Sequence, residues 1–206
     1  MSIVIKFVDE DKRELREAMR ECRERHCVNV VSDDAVGLAE QVGRFFDGDG
    51  DVAATMAGYV ALAGELSPHI AMGRHAEAGG VCVVPAWDGE GKRYRFCRWE
   101  KGMPMMAGRF KVPEPAEKAW VDKAEISVFL VPGLAFDVAG NRLGHGAGIY
   151  DTLLAGASAE AVFIGVAYDD QVVASVPVEA HDIRMHAIAT PTKVAQVRRP
   201  VLPSSA

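Results

Sequence analysis

At 206 residues, 49% of them apolar and 25% charged, the chain has room for one well-buried domain and too little for two large ones. Its net charge of −6 provides no global attraction for nucleic acid or an anionic membrane, so any anionic ligand must be met by a local basic cluster. No apolar run approaches the length of a membrane span. The residues from Met1 to Phe7 show no secretory h-region or cleavage site. Cys22, Cys27, Cys82 and Cys97 contain no CxxC pair. Their apolar surroundings point to reduced, packed thiols of a cytoplasmic protein rather than to a disulfide or zinc framework.

In chain order, residues 9 to 26 read as a helix, with Leu15, Ala18, Met19 and Cys22 at helical spacing and Asp9 or Asp11 as a cap. Lys12, Arg16, Arg20 and Arg23 line another face, interleaved with Glu14, Glu17, Glu21 and Glu24. A solvated salt-bridged face is one reading of that pattern. A second helix starts at Ser32 or Asp33 and carries Val36, Ala39, Val42 and Phe46. It ends at Asp47-Gly48-Asp49-Gly50-Asp51. That turn is no calcium loop, because the twelfth position from Asp47 is Gly58 instead of a bidentate glutamate.

Val52 to Leu62 suits a central strand, delivering Glu65 beyond its end. Ligands of open α/β sheets bind outside strand carboxyl ends, so Glu65 is a candidate ligand carboxylate, or else a surface residue before Ser67-Pro68. A helix follows over 67–78. Val81 to Pro85 and Tyr94 to Trp99 form a hairpin around Asp88-Gly89-Glu90-Gly91. The stretch from Met103 to Pro115 is either an ordinary loop or a methionine-rich lining for a flat ligand. Ile126 to Val131 and Ala161 to Ala167 read as strands covered on both faces. Gln171 to Val176 and Ala187 to Thr190 are further strands, the latter preceded by His181 and Asp182. Strands alternating with helices predict an α/β fold of three layers, with a mainly parallel central sheet and helices on both faces. Residues 1–192 form a single domain, and 193–206 a loosely held tail.

The richest stretch runs from Val131 through Asp137 and on from Gly140 to Asp151. A strand enters a turn. Arg142 follows, then Gly144, Gly146 and Gly148, then a helix start with Tyr150 and Asp151. A tight connection is the plainer reading of such a loop. A phosphate chain with its metal is the functional one. Glycines let backbone amides approach an anion, and a helix start favours it. Arg142 can grip phosphate oxygens through paired hydrogen bonds, and Asp151 can hold magnesium.

Residues Val131 to Leu154 resemble the signature of the 5-formyltetrahydrofolate cyclo-ligase family, also called methenyltetrahydrofolate synthetase. That signature reads V-P-G-L-A-F-D, then G-x-R-L-G-x-G-x-G-x-Y-D and a small apolar helix. Lys12-Arg13-Glu14-Leu15-Arg16 resembles the family's K-x-x-L-R element, which reaches the nucleotide phosphates. Val112 to Pro115 resembles its E-P turn, which packs near the site. The resemblance implies ATP-dependent cyclisation of 5-formyltetrahydrofolate to 5,10-methenyltetrahydrofolate, with Mg2+ accompanying ATP as co-substrate. It implies that Lys12, Arg16 and Arg142 stabilise the transferring phosphoryl group. Lys12, Arg13, Arg16, Arg142, Leu143, Gly144, His145, Gly146, Ala147, Gly148, Ile149 and Tyr150 would then bind ATP. Glu65 and the run from His145 to Tyr150 would meet the folate, and Asp151 and Asp182 the metal. The substrates are small molecules, with no nucleic acid or membrane partner, for a monomer or weak homo-oligomer.

The chain also departs from the pattern. Ala147 stands where the family has glycine or lysine. Ile149 replaces the first of two aromatics, Thr152 a frequent arginine, and His186 a common acidic residue. Residues 69–111 match loosely. These departures leave open a relative with a changed or lost folate reaction, and a non-catalytic regulator that binds folate or nucleotide. A sugar-phosphate isomerase rests on layer analogy alone.

Overall fold

The computed structural model describes residues 2–26, 31–46, 54–179 and 182–197, with side chains from residue 11 in the first span and 33 in the second. Cys27, the aspartate turn at 47–51, Val52, His181 and the residues beyond 197 lie outside the described residues, as do the side chains of the candidate caps Asp9 and Ser32.

The chain opens with helices α1 (Ser2–Glu24) and α2 (Val31–Phe46), then strand β1 (Thr55–Ala57), helix α3 (His69–Glu77), and strands β2 (Val81–Asp88) and β3 (Arg93–Trp99). Next come β4 (Met105–Ala107), β5 (Pro113–Pro115), β6 (Trp120–Val121), β7 (Val128–Pro132), β8 (Ala135–Asp137) and β9 (Arg142–Leu143). Helix α4 (Ile149–Leu154) precedes β10 (Val162–Val166), β11 (Val172–Val173), β12 (Ala187–Ala189) and β13 (Val194–Gln196). Among the described residues no helix is long and apolar enough to cross a membrane.

The main sheet has the order β13-β12-β10-β7-β1-β2-β3-β6. Its five inner strands, β12 to β2, are parallel. The outer strands β13, β3 and β6 join antiparallel. Alternation along each inner strand feeds two cores. Met56, Cys82, Val84, Val128, Leu130 and Ile164 face α2 and α3, packing on Leu38, Val42 and Met72. Ala57, Val83, Phe129, Val131 and Ile188 face the other way, against Leu153 and Leu154 of α4. Successive strand residues point to opposite faces, so these doubly apolar strands require cover on both sides. The three-layer α/β expectation is met. Phe129 centres the second core, edge-to-face with Phe96 at 5.5 Å and Phe163 at 5.3 Å. A smaller sheet, β11-β8-β9, lies beside the main one. Met19 and Cys22 of α1 pack onto it through Leu134, Ala135, Leu143 and Val176.

Four expectations need correction. Helix α1 begins at Ser2 instead of residue 9; no glycine or proline interrupts the run before Asp9, so Asp9 and Asp11 are interior positions, not caps. Strand β1 stops at Ala57, because beyond it Tyr59, Val60, Leu62 and Glu65 turn to wall a cleft. The segment from Lys193 is not loose at its start. A turn closed by Thr190 N–H donating to Lys193 O at 2.8 Å returns the chain as edge strand β13. The Met-rich stretch is a small β4–β5 ladder. Met103 packs on the first core, while Met105 and Met106 are exposed, so these methionines line no ligand site.

Candidate active site

A cleft of about 450 Å³ opens at the carboxyl ends of β1 and β7 and beside the middle of β2, walled there by Tyr59, Pro132 and Pro85. The connections of β1 and β7 leave in opposite directions, β1 toward β2 and β7 toward β10. Such a switch point leaves a crevice between crossovers. Helix α1 and the glycine loop close the cleft from the second sheet.

From α1 come Lys12 and Arg16. Lys12 is 4% exposed. Its Nζ donates to Glu179 Oε2 at 2.7 Å and to Asp182 Oδ2 at 2.8 Å. Burial works against the ammonium charge, yet hydrogen bonds and attraction from Asp182 and Glu179 hold its pKa above the ordinary lysine value. Arg16 Nε donates to Gly144 O at 3.1 Å, tying the helix to the loop. Arg13 is exposed and is absent from the cleft wall. Adjacent helix residues point about 100° apart, so Lys12 and Arg13 cannot both face inward. The expected solvated basic face is divided: Lys12 and Arg23 are buried, Arg16 half-buried and Arg20 exposed.

The glycine loop rests on a structural aspartate. Asp137, inside the signature, is 2% exposed. It accepts from the amides of Ala139, Asn141 and Val176 and from Asn141 Nδ2 at 2.8–3.0 Å. Four hydrogen bonds on one buried carboxylate satisfy its acceptors and fix the turn that delivers Arg142. Arg142 Nη2 donates to Asp151 Oδ1 at 2.7 Å, and its Nε has no partner among the described residues. Gly146 and Gly148 adopt φ of 98° and 64°, a region costly to residues with a Cβ. At Gly144 the constraint is space, since a Cβ would sit 2.9 Å from Arg142 Nη1. Tyr150 packs on both cores, with Arg142 Cζ 5.8 Å from its ring centre. Burial and nearby Glu65 push its hydroxyl pKa well above the usual value.

Glu65 is held by a residue whose role the sequence did not reveal. Arg23 is 6% exposed. It donates to Gly64 O and Ala63 O, both at 3.0 Å, and meets His145 Nε2 at 3.0 Å. Glu65 Oε1 lies 3.6 Å from Arg23 Nη2 and 3.3 Å from His145 Nε2, while Oε2 accepts from Leu62 N–H at 2.8 Å. Burial disfavours the Glu65 carboxylate, but the His145 and Leu62 hydrogen bonds and Arg23 outweigh it, so its pKa lies below the usual value.

Lys12, Arg16, Glu65, the whole run Arg142 to Asp151, and Asp182 all line this cleft. Residues from four separate sequence regions thus meet. Asp151 and Asp182 share the wall, yet each is engaged by a cation, Arg142 and Lys12 respectively. Among the described residues they belong to no trio of ligand atoms close enough to share an ion. Glu114, 3% exposed, also faces the cleft and is fixed by Trp87 N–H at 3.0 Å, Arg109 N–H at 3.3 Å and Lys118 Nζ at 3.0 Å. Tyr59, Phe110 and Glu179 complete the wall without having shown a sequence signal. Arg23 had one: it continues the buried stripe of Met19 and Cys22 at helical spacing. Of the departures, His186 has a structural use. Its Nδ1 accepts from Phe163 N–H at 2.9 Å and its ring stacks on Phe163, away from the cleft. Ile149 packs on the second core, and Thr152 Oγ1 donates to Gly148 O at 3.0 Å.

The fold and cleft define a three-layer α/β domain that assembles cations, carboxylates and a glycine loop at a sheet switch point. The profile of the 5-formyltetrahydrofolate cyclo-ligase family matches residues 8–191, and the chain belongs to that family. It is 40% identical over 101 residues to the 5-formyltetrahydrofolate cyclo-ligase of Mycolicibacterium smegmatis, covering 47% of this chain and 52% of that protein. It is 34% identical over 102 residues to the Escherichia coli K12 protein of that name, covering 48% and 56%. The matched part thus spans about half the length of these curated relatives. The solved structure of Aquifex aeolicus 5,10-methenyltetrahydrofolate synthetase superposes with a TM-score of 0.72 at 26% identity, covering 94% of this chain and 96% of that one.

Proposed function

We propose that the protein closes 5-formyltetrahydrofolate to 5,10-methenyltetrahydrofolate, converting ATP to ADP and phosphate. The observation that carries this is the convergence of Lys12, Arg16, Arg142 and the glycine loop with Glu65 in one cleft. A formyl oxygen is a poor leaving group. Transfer of the γ-phosphoryl to that oxygen makes it a good one. The neighbouring folate amine, held close by the ring frame, then attacks the formyl carbon, and phosphate departs. Positioning and charge neutralisation dominate such chemistry, and no enzyme nucleophile is needed.

Lys12, Arg16 and Arg142 bind the phosphates and stabilise the moving charge. Backbone groups from Leu143 to Ile149 surround the phosphate chain, with Arg13 an outlying cation. Glu65, set by Arg23, accepts from the folate ring, and His145 and Tyr150 border it. The wall holds more carboxylates than cations: Glu65, Glu114, Asp151, Glu179 and Asp182 against Lys12, Arg16 and Arg142. Hard oxygen donors in excess suit Mg2+ arriving with the nucleotide; Asp151 and Asp182 would hold it, and it would supply neutralisation of phosphate charge. Buried, unpaired thiols at Cys22, Cys82 and Cys97 support a cytoplasmic setting. Substrates are small molecules, bound by a monomer or weak homo-oligomer.

The test is direct. The protein with ATP, Mg2+ and 5-formyltetrahydrofolate should generate the near-ultraviolet absorbance of the methenyl product, dependent on ATP. Well-folded protein that binds both substrates without absorbance growth would sink the proposal.

A further inference from the structure

Away from the cleft, at the other end of the described part of α1, lies a cluster that the cyclisation does not use. Cys22 lies in the last turn of α1, and His26 in the turn that follows it, closed by His26 N–H donating to Arg23 O at 3.0 Å. Asp170 approaches them from the turn after β10. One ligand atom from each of the three lies within 4.8 Å of the others. His26 Nε2 is 2.9 Å from Asp170 Oδ1. None of the three lines the cleft, and Cys22 is about 15 Å along the helix from Lys12.

The cluster is held in place from several sides. The His26 ring stacks on Tyr168, with centroids 3.9 Å apart and planes 1° from parallel. Asp170 precedes Gln171, whose buried amide donates to Gly133 O at 3.3 Å and Leu134 O at 2.9 Å and accepts from Tyr168 N–H at 2.9 Å. Cys22 is 6% exposed and packs on the second sheet. Two tetrahedral ligands at zinc bond lengths are about 3.3 Å apart, so His26 and Asp170 need only separate by a few tenths of an ångström.

We propose that Cys22, His26 and Asp170 form a zinc site with water as fourth ligand, clamping the end of α1 to the turn after β10. A thiolate, an imidazole and a carboxylate suit Zn2+, whereas Mg2+ and Ca2+ take oxygen ligands. The site acts on the cleft through its neighbour. Arg23 follows Cys22 directly and holds Ala63, Gly64 and Glu65, so an ion that anchors this turn also anchors Glu65. Burial raises the Cys22 pKa despite the nearby Arg25, and metal must displace that proton, so zinc affinity rises with pH.

The experiment uses the full chain stripped with chelator and titrated with Zn2+ alone by calorimetry, and with Co2+ by absorbance. The expected result is one ion per chain, with a thiolate-to-cobalt charge-transfer band. Cys22→Ser should abolish that band, and Cys22→Ser, His26→Ala and the surface variant Asp170→Asn should each weaken zinc about tenfold or more. Circular dichroism confirms that each variant is folded, and Asp170→Asn keeps the test open if the helix variants are not. No stoichiometric binding by wild type, unchanged binding in folded Cys22→Ser, or a loss confined to Cys27→Ser would overturn the site. Because the readout is metal binding, the result is independent of folate turnover.

Discussion

Arg23→Ala tests whether a buried arginine sets the position of Glu65. The substitution removes two hydrogen bonds to Ala63 O and Gly64 O, both at 3.0 Å, the 3.0 Å contact to His145 and the 3.6 Å ion pair to Glu65. Glu65 stays behind with its side chain 7% exposed. A charge-assisted hydrogen bond contributes about 1.5–3 kcal/mol, and removing one partner of a buried ion pair costs about 3–5 kcal/mol. These overlap, because the same guanidinium serves all of them, so the expected loss is about 3–5 kcal/mol. Against a typical domain stability of roughly 5–15 kcal/mol the urea midpoint should fall far at neutral pH, with little change in slope. Arg23→Lys, which keeps the charge without the planar fork, should lie between the two. The pH dependence has a definite sign. The Glu65 pKa is depressed in the folded protein, so its contribution is present above the ordinary carboxylate range and is lost as pH falls through the lower folded value. Without Arg23 the folded pKa rises, so the acid-side loss that Glu65 causes shrinks, and the stability gap between variant and wild type narrows as pH falls. A loss below about 1 kcal/mol, the level of an exposed ion pair, would refute the claim that Arg23 is a buried cross-link.

Two further predictions concern the loop. Asp151→Asn should lower kcat by about a hundredfold, the scale of losing one transition-state electrostatic group, with folate affinity little changed; equal losses in both would reassign Asp151 to binding. Gly146→Ala should cost about 1–2 kcal/mol through its φ of 98° and weaken ATP more than folate, measured by thermal unfolding and equilibrium binding; wild-type values in both assays would remove the loop conformation from the account of the site.

Much of the architecture was readable along the chain. Val128 to Val131 is apolar at every position, and such a strand demands cover on both faces. Gly146 and Gly148 were legible because positive φ needs glycine. The signature run and the Lys12–Arg16 element identified most of the cleft wall. Element ends were less legible. Nothing local distinguishes Ala57, the last ladder residue of β1, from Tyr59, which turns into the cleft. Strand β13 has no strong pattern of its own, because an edge strand needs burial on only part of its surface. The methionines Met103, Met105 and Met106 failed as a ligand lining because flexibility toward a ligand cannot be told from composition.

Periodicity determined which faces of this protein are buried, and glycine spacing determined where its backbone turns tightly. Both are short-range consequences of sterics and solvent exclusion. Only tertiary structure decided the partners. Lys12 meets Asp182 across 170 positions, and Arg23 meets His145 across 122. The K-x-x-L-R pattern implies that its cations bind phosphate; it does not say that buried Lys12 already holds two carboxylates. Nor does the sequence assign Asp137 to a turn and Asp151 to Arg142. A charged side chain is free to pair with any opposite charge that topology brings within reach, and crossovers of the sheet determine which one arrives.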